Sequence, residues 1–97
     1  MSERIIYLVY TCDFKMSRDS MQLVLATTSV RRVKSFVSQG ILNCRWSYRD
    51  HQGYNEKDQA KLFRKDFERT TRGDLNDMLL YCYLDYIYDG EEIWNEE

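Results

Sequence analysis

Proline is absent from this sequence and glycine occurs only four times, so the usual punctuation between elements is sparse. No internal repeat or low-complexity tract replaces it. Histidine occurs once, at His51, and there is no Cys-x-x-Cys or His-x-x-x-His spacing. Zinc takes four nitrogen or sulfur ligands at short, recognisable intervals. A centre built from Cys12, Cys44, Cys82 and His51 would need distant residues to converge by coincidence, so no metal or other cofactor is expected. The cysteine count is odd and the spacing wide, unlike a secreted disulfide framework, and no apolar signal segment precedes the first of them. Each cysteine lies in or beside an apolar run, where a reduced thiol behaves as a small hydrophobe. The expectation is a cytoplasmic protein with core cysteines. Apolar runs fall far short of the ~20 residues that a bilayer span needs. No lysine or arginine follows Arg72.

What the chain does contain is apolar and aromatic mass. Of its 97 residues 43% are apolar and 14% aromatic, enough for one compact core and too short for two. We expect a single domain over residues 1–97, with residues 91–97 as a frayed acidic tail. The formal charge of −2 conceals a strong asymmetry. Residues 1–72 hold all 14 bases and 8 acids, whereas residues 73–97 hold 8 acids and no base. A field so divided points to an acidic face or tail as an interaction surface.

Ile5 to Thr11 is β-branched and aromatic and reads as a strand, followed by a polar loop from Cys12 to Ser20. Met21 to Thr27 reads as a second strand, antiparallel to the first. Both are apolar on each face, which predicts central positions. At Thr28-Ser29 the period changes: Val30, Val33 and Val37 recur at helical spacing, with Phe36 beside them. Thr28 or Ser29 supplies the cap and Gly40 the stop. Ile41 to Tyr48 is read as a third strand. Asn55 caps a second helix that runs to about Arg72, with Ala60, Phe63 and Phe67 as its buried stripe. Gly73 ends it, or a further turn runs through Leu75 and Met78. Leu79 to Tyr88 has the strongest strand composition, Asp89-Gly90 is a hairpin signal, and Glu91 to Asn95 either returns as a short strand or belongs to the frayed tail. The expected architecture is α+β, in the order β-β-α-β-α-β-β, a mainly antiparallel sheet with two helices on one face.

Catalytic constellations are thin. Cys44 and His51 are the one local thiol–base pair, and nothing in the sequence orients either. There is no Gly-rich phosphate loop, and no small-molecule ligand is implied. Thr27-Thr28-Ser29 could meet an anion with backbone N–H groups, but capping the helix is their commoner use. The strand–strand–helix opening loosely resembles a GIY-YIG nuclease domain, with Tyr7, Tyr10 and Arg32 as the nearest matches. The first strand lacks Gly-Ile-Tyr, and the second reads Val24-Leu25-Ala26 where that family has Tyr-Ile-Gly. The reading is therefore non-enzymatic.

Two binding surfaces stand out. Along the last long strand Tyr81, Tyr83, Asp85 and Ile87 share one face, while Leu80, Cys82, Leu84, Tyr86 and Tyr88 share the core face. Asp89, Glu91 and Glu92 continue the negative charge beyond Asp85. Tyrosine offers a rigid apolar body with a polar tip, and carboxylates in a row imitate the phosphates that a basic groove accepts. The alternative is a nucleic-acid-binding surface made of Arg31 and Arg32 on the first helix with Lys61, Arg64 and Lys65 on the second. Asp58, Asp66 and Glu68 interrupt that ridge, so a solvated face with i,i+4 pairs competes with it.

Ile6-Tyr7-Leu8-Val9-Tyr10-Thr11-Cys12-Asp13, Leu25-Ala26-Thr27-Thr28-Ser29-Val30-Arg31, Ala60-Lys61-Leu62-Phe63-Arg64-Lys65-Asp66-Phe67 and Asp85-Tyr86-Ile87-Tyr88-Asp89-Gly90-Glu91-Glu92-Ile93 resemble, in pattern, small proteins of phages and mobile elements in Firmicute bacteria. In size and acidity the chain is similar to anti-CRISPR proteins. The resemblance implies a phage-encoded inhibitor that binds a bacterial defence protein such as a CRISPR effector nuclease and occludes its nucleic-acid groove. It carries no catalytic residues with it.

Overall fold

We describe residues 4–88 of a computed structural model; Asp89, Glu91, Glu92 and the expected return strand and tail lie outside the described residues. The molecule is α+β. Strand β1 (Ile5–Thr11) and strand β2 (Gln22–Thr27) form an antiparallel pair, Tyr7 opposite Thr27 and Thr11 opposite Gln22. Between them the loop folds through a 3-10 turn at Arg18–Ser20. Helix α1 (Val30–Leu42) follows, capped by Ser29, whose side chain accepts the Arg32 N–H. A two-residue strand β3 (Ser47–Tyr48) precedes helix α2 (Glu56–Phe67), capped by Asn55. Helix α3 (Arg72–Met78), capped by Thr71, leads into β4 (Leu79–Leu80) and then β5 (Cys82–Tyr88).

The strands form two antiparallel sheets, one ordered β2-β1-β5 and a small β3-β4 pair. Strand β1 is central, as its two apolar faces predict. Strand β2, expected to be central as well, is an edge among the described strands. Its register with β1 slips between Val9 and Tyr10, a bulge that places Val24 and Leu25 both against the core.

The inner face of the large sheet carries Val9, Cys82 and Leu84, and the helices close over it with Val33, Val37, Ile41, Ala60, Phe63 and Leu75. Trp46, Tyr48 and Leu79 join that core from the small sheet's side. Tyr48 meets Phe63 edge-on at 5.5 Å, and its hydroxyl donates to Asp66 at 2.8 Å. Burial and this bond together hold the Tyr48 phenol well above its ordinary pKa.

Several boundaries differ from the sequence reading, each for a tertiary reason. Residues 41–48 do not form one long strand. Helix α1 continues through Gly40 to Leu42, and the chain turns at Cys44, whose φ is 62°, before the short β3. Gly40 is a close-approach residue and not a helix stop. A Cβ there would strike Cε3 and Cζ3 of Trp46, which is 1% exposed. Cys44 is exposed, so it is not a core cysteine, whereas Cys12 and Cys82 are buried. The second predicted helix is two helices: α2 stops at Phe67, and Thr71 starts α3, with Gly73 inside its first turn. The strand expected over residues 79–88 breaks at Tyr81. There φ is 69°, and the chain passes from the small sheet to the large one.

Candidate functional site

The two faces of the large sheet are unlike. The side opposite the helices carries Ile6, Leu8 and Tyr10 from β1. From β5 come Ile87, Asp85 and Tyr83, which pair with them in that order. Strand β2 adds Ala26 and Leu23. Asp85 is the one charged side chain among these eight. A sheet with one solvated face ordinarily alternates apolar and polar residues. This one is apolar on both sides. Leu8 and Tyr10 are buried, Tyr83 and Ile87 are half-buried, and Leu23 is exposed.

Tyr10 and Tyr83 pack as a tilted aromatic pair with centroids 6.2 Å apart. Burial, then the Asp85 carboxylate and the neighbouring Tyr83, raise the pKa of the Tyr10 phenol. Tyr83 and Asp85 thus share one face, as the strand period predicts. Tyr81 stands apart. It lies outside both strands, exposed, and its carbonyl accepts the Cys12 N–H at 3.0 Å and the Thr11 hydroxyl at 3.3 Å. It therefore marks the end of the face, next to the β1–β2 loop.

Asp85 is more compensated than the sequence suggests. Its Oδ1 accepts the Tyr86 N–H at 2.8 Å and stands 3.8 Å from Arg72 Nε, both side chains 39% exposed. The Arg72 guanidinium lies 4.0 Å from the centre of the Tyr86 ring. Arg72 comes from the first turn of α3, which packs against β5, and Gly73 and Thr71 give no signal that would place it there. The negative charge foreseen at Asp89, Glu91 and Glu92 falls outside the described residues.

At Leu84 the outer edge of β5 is capped by a side chain. Asn76 of α3 donates to the Leu84 carbonyl and accepts the Leu84 N–H, both at 2.9 Å. It is 7% exposed and occupies the position that another strand would take. Nothing in the sequence around Asn76 distinguishes it from an ordinary helix-surface amide.

The loop between β1 and β2 is tightly tied. Asp13 Oδ1 accepts the N–H groups of Lys15 at 3.1 Å and Ser17 at 3.0 Å, and Oδ2 accepts the Ser17 hydroxyl at 2.9 Å. These bonds, those from Ser17 foremost, hold the Asp13 carboxyl below the usual aspartate range. At the tip Phe14 is 62% exposed.

The basic residues of the alternative surface, Arg31, Arg32, Lys61, Arg64 and Lys65, are all exposed, and none of their side chains has an ion-pair or hydrogen-bond partner among the described residues. Lys34 and Arg49 differ: they bridge Glu68 and Asp66. The acids that interrupt the α2 ridge are therefore partly consumed by other partners. Between Arg4 and Tyr88 the chain carries 14 bases and 10 acids.

For catalysis the geometry offers little. Tyr7 faces the helices and Tyr10 the opposite side of the sheet, so the two tyrosines of the nuclease-like pattern do not converge. Desolvation and the Glu56 carboxylate raise the Cys44 thiol pKa, which disfavours a thiolate. Among the described residues no three His, Cys, Asp or Glu side chains gather where a metal ion could be held. No helix among them is long and apolar enough to cross a membrane. No family model, curated protein or solved structure matches this chain.

Proposed function

We propose that the chain is a non-enzymatic binding protein that docks through the outer face of its large sheet. One observation carries the reading. Among the described residues that face is aliphatic and aromatic with a single charged residue, and the helices lie on the other side. Apolar patches rimmed by polar groups mark interaction sites, and tyrosine is enriched in them. Buried Leu8 and Tyr10 of β1 form its centre, half-exposed Tyr83 and Ile87 its β5 side, Leu23 and Tyr81 its margin, and Asp85 its polar anchor. In sequence Asp89, Glu91 and Glu92 follow directly and add negative charge, which suits a partner with a basic surface. The partner class comes from the resemblance to anti-CRISPR proteins: a phage-encoded inhibitor seated on the nucleic-acid groove of a CRISPR effector nuclease.

The test is titration of the purified protein into a panel of CRISPR effectors with a DNA-cleavage readout. Stoichiometric loss of cleavage by one of them is expected. Ile87→Lys should abolish it, and joint reversal of Asp89, Glu91 and Glu92 to lysine should weaken binding roughly tenfold or more at low salt. Full cleavage throughout the panel at tenfold molar excess would remove the partner assignment. Unchanged affinity of both variants for an inhibited effector would remove the face.

A second reading is favoured by the five cations whose side chains have no partner among the described residues. They give nucleic acid a set of phosphate contacts, and gel shifts over a salt series test it. Binding through all five gives a slope of log affinity against log salt near −4, and each change to glutamine reduces it by about one. A flat response to salt would leave these residues as a solvated surface.

A further inference from the structure

On the helix side of the sheet there is a cleft of about 160 Å³ where the start of α1, the segment after α2 and the start of α3 meet strands β1 and β5. Its wall is aliphatic and aromatic: Val30, Val33, Phe67, Leu75, Tyr7 and Leu84. Arg72 and Asp85 supply the charge. A cavity of ~150 Å³ with such a lining accepts a benzene-sized guest. The volume therefore fits one ring or a short branched chain.

The cation at this cleft is already oriented. Tyr86 stacks under the Arg72 guanidinium, and Asp85 stands on its Nε side at 3.8 Å. The terminal nitrogens of Arg72 have no partner among the described residues. A guanidinium held in place with its Nη donors free is suited to two parallel bonds with a carboxylate. Asp85 at 3.8 Å is beyond direct hydrogen-bond range and leaves that capacity unused.

We propose that this cleft binds a small apolar carboxylate, with its ring or branched chain against Val33 and Leu75 and its carboxylate on Arg72. The site lies on the other side of the sheet from the proposed docking face and shares only Asp85 with it. Nothing in it depends on the partner proposed above.

The probe is phenylacetate, followed by two-dimensional NMR of the labelled protein, with benzyl alcohol as the uncharged control and benzylamine as the cationic one. Saturable shifts should centre on the methyls of Val30, Val33 and Leu75 and on Arg72 Nε. Benzyl alcohol should bind roughly tenfold more weakly, and benzylamine more weakly again. Arg72→Gln should bring phenylacetate down to the level of the alcohol. Val30→Trp, at an exposed rim position, should block both while retaining the native spectrum elsewhere. The proposal fails if the shifts do not saturate or map away from the cleft. Equal affinity for acid and alcohol overturns it as well, as does unchanged phenylacetate binding by a folded Arg72→Gln protein.

Discussion

A methyl group at position 40 would meet the Trp46 ring, and that ring is too deeply enclosed to move aside. Alanine is favoured over glycine inside a helix by about 1 kcal/mol, but overpacking a filled core costs about 1–3 kcal/mol. The clash should win. Gly40→Ala is expected to lower stability by up to about 2 kcal/mol in urea unfolding, and a gain in stability would mean that Trp46 can repack. Asn76 is the other residue on which local structure turns. Its removal leaves both the N–H and the carbonyl of Leu84 without partners in a buried setting, at about 1–3 kcal/mol for each group. Asn76→Leu fills the same space without the bonds and should be destabilised by at least about 2 kcal/mol. Tolerance of leucine there would show packing, and not hydrogen bonding, to be what the amide contributes.

Among the elements, those set by local patterns were legible in the sequence. Strand β1 has the predicted bounds, and the starts of α1 and α2 sit at the polar caps Ser29 and Asn55. What was not legible depends on distant partners. Whether residue 40 ends a helix depends on where Trp46 packs, and the break at Tyr81 depends on Thr11 and Cys12, which bind its carbonyl. The common face of Tyr83 and Asp85 was readable from a period of two, but the Arg72 beside Asp85 was not, because α3 brings it there. The β1–β2 loop gives the pH prediction at this scale. The Asp13 carboxyl titrates lower in the folded chain than its ordinary value of 3.8. Its contribution is therefore complete above that value and is lost as pH falls through the lower, folded value. Amide protection at Lys15 and Ser17 should hold down to about pH 4 and decline below it. The decline should be missing from Asp13→Asn, which does not titrate. An identical pH profile in that variant would place the transition elsewhere.

At the scale of the molecule, one core among the described residues joins both sheets and the three helices, from Val9 in β1 to Leu84 in β5. Cooperative, all-or-none unfolding follows from such sharing. The urea midpoint read by tryptophan fluorescence should coincide with that read by far-ultraviolet circular dichroism. Separate midpoints would show that the small sheet or a helix detaches first. The strand order has a consequence in time. Strand β1 lies in the middle of the large sheet, yet one of its two neighbours is β5, the last of the described strands, with Thr11 facing Cys82. At a synthesis rate of ~5–20 residues per second, about 4–14 s pass between the emergence of these two residues. Through that interval the most apolar stretch of the nascent chain has only β2 beside it. The ribosome-bound fragment is then the stage at which this protein is most open to misassembly, and a holdase chaperone would find its site along Ile5–Thr11.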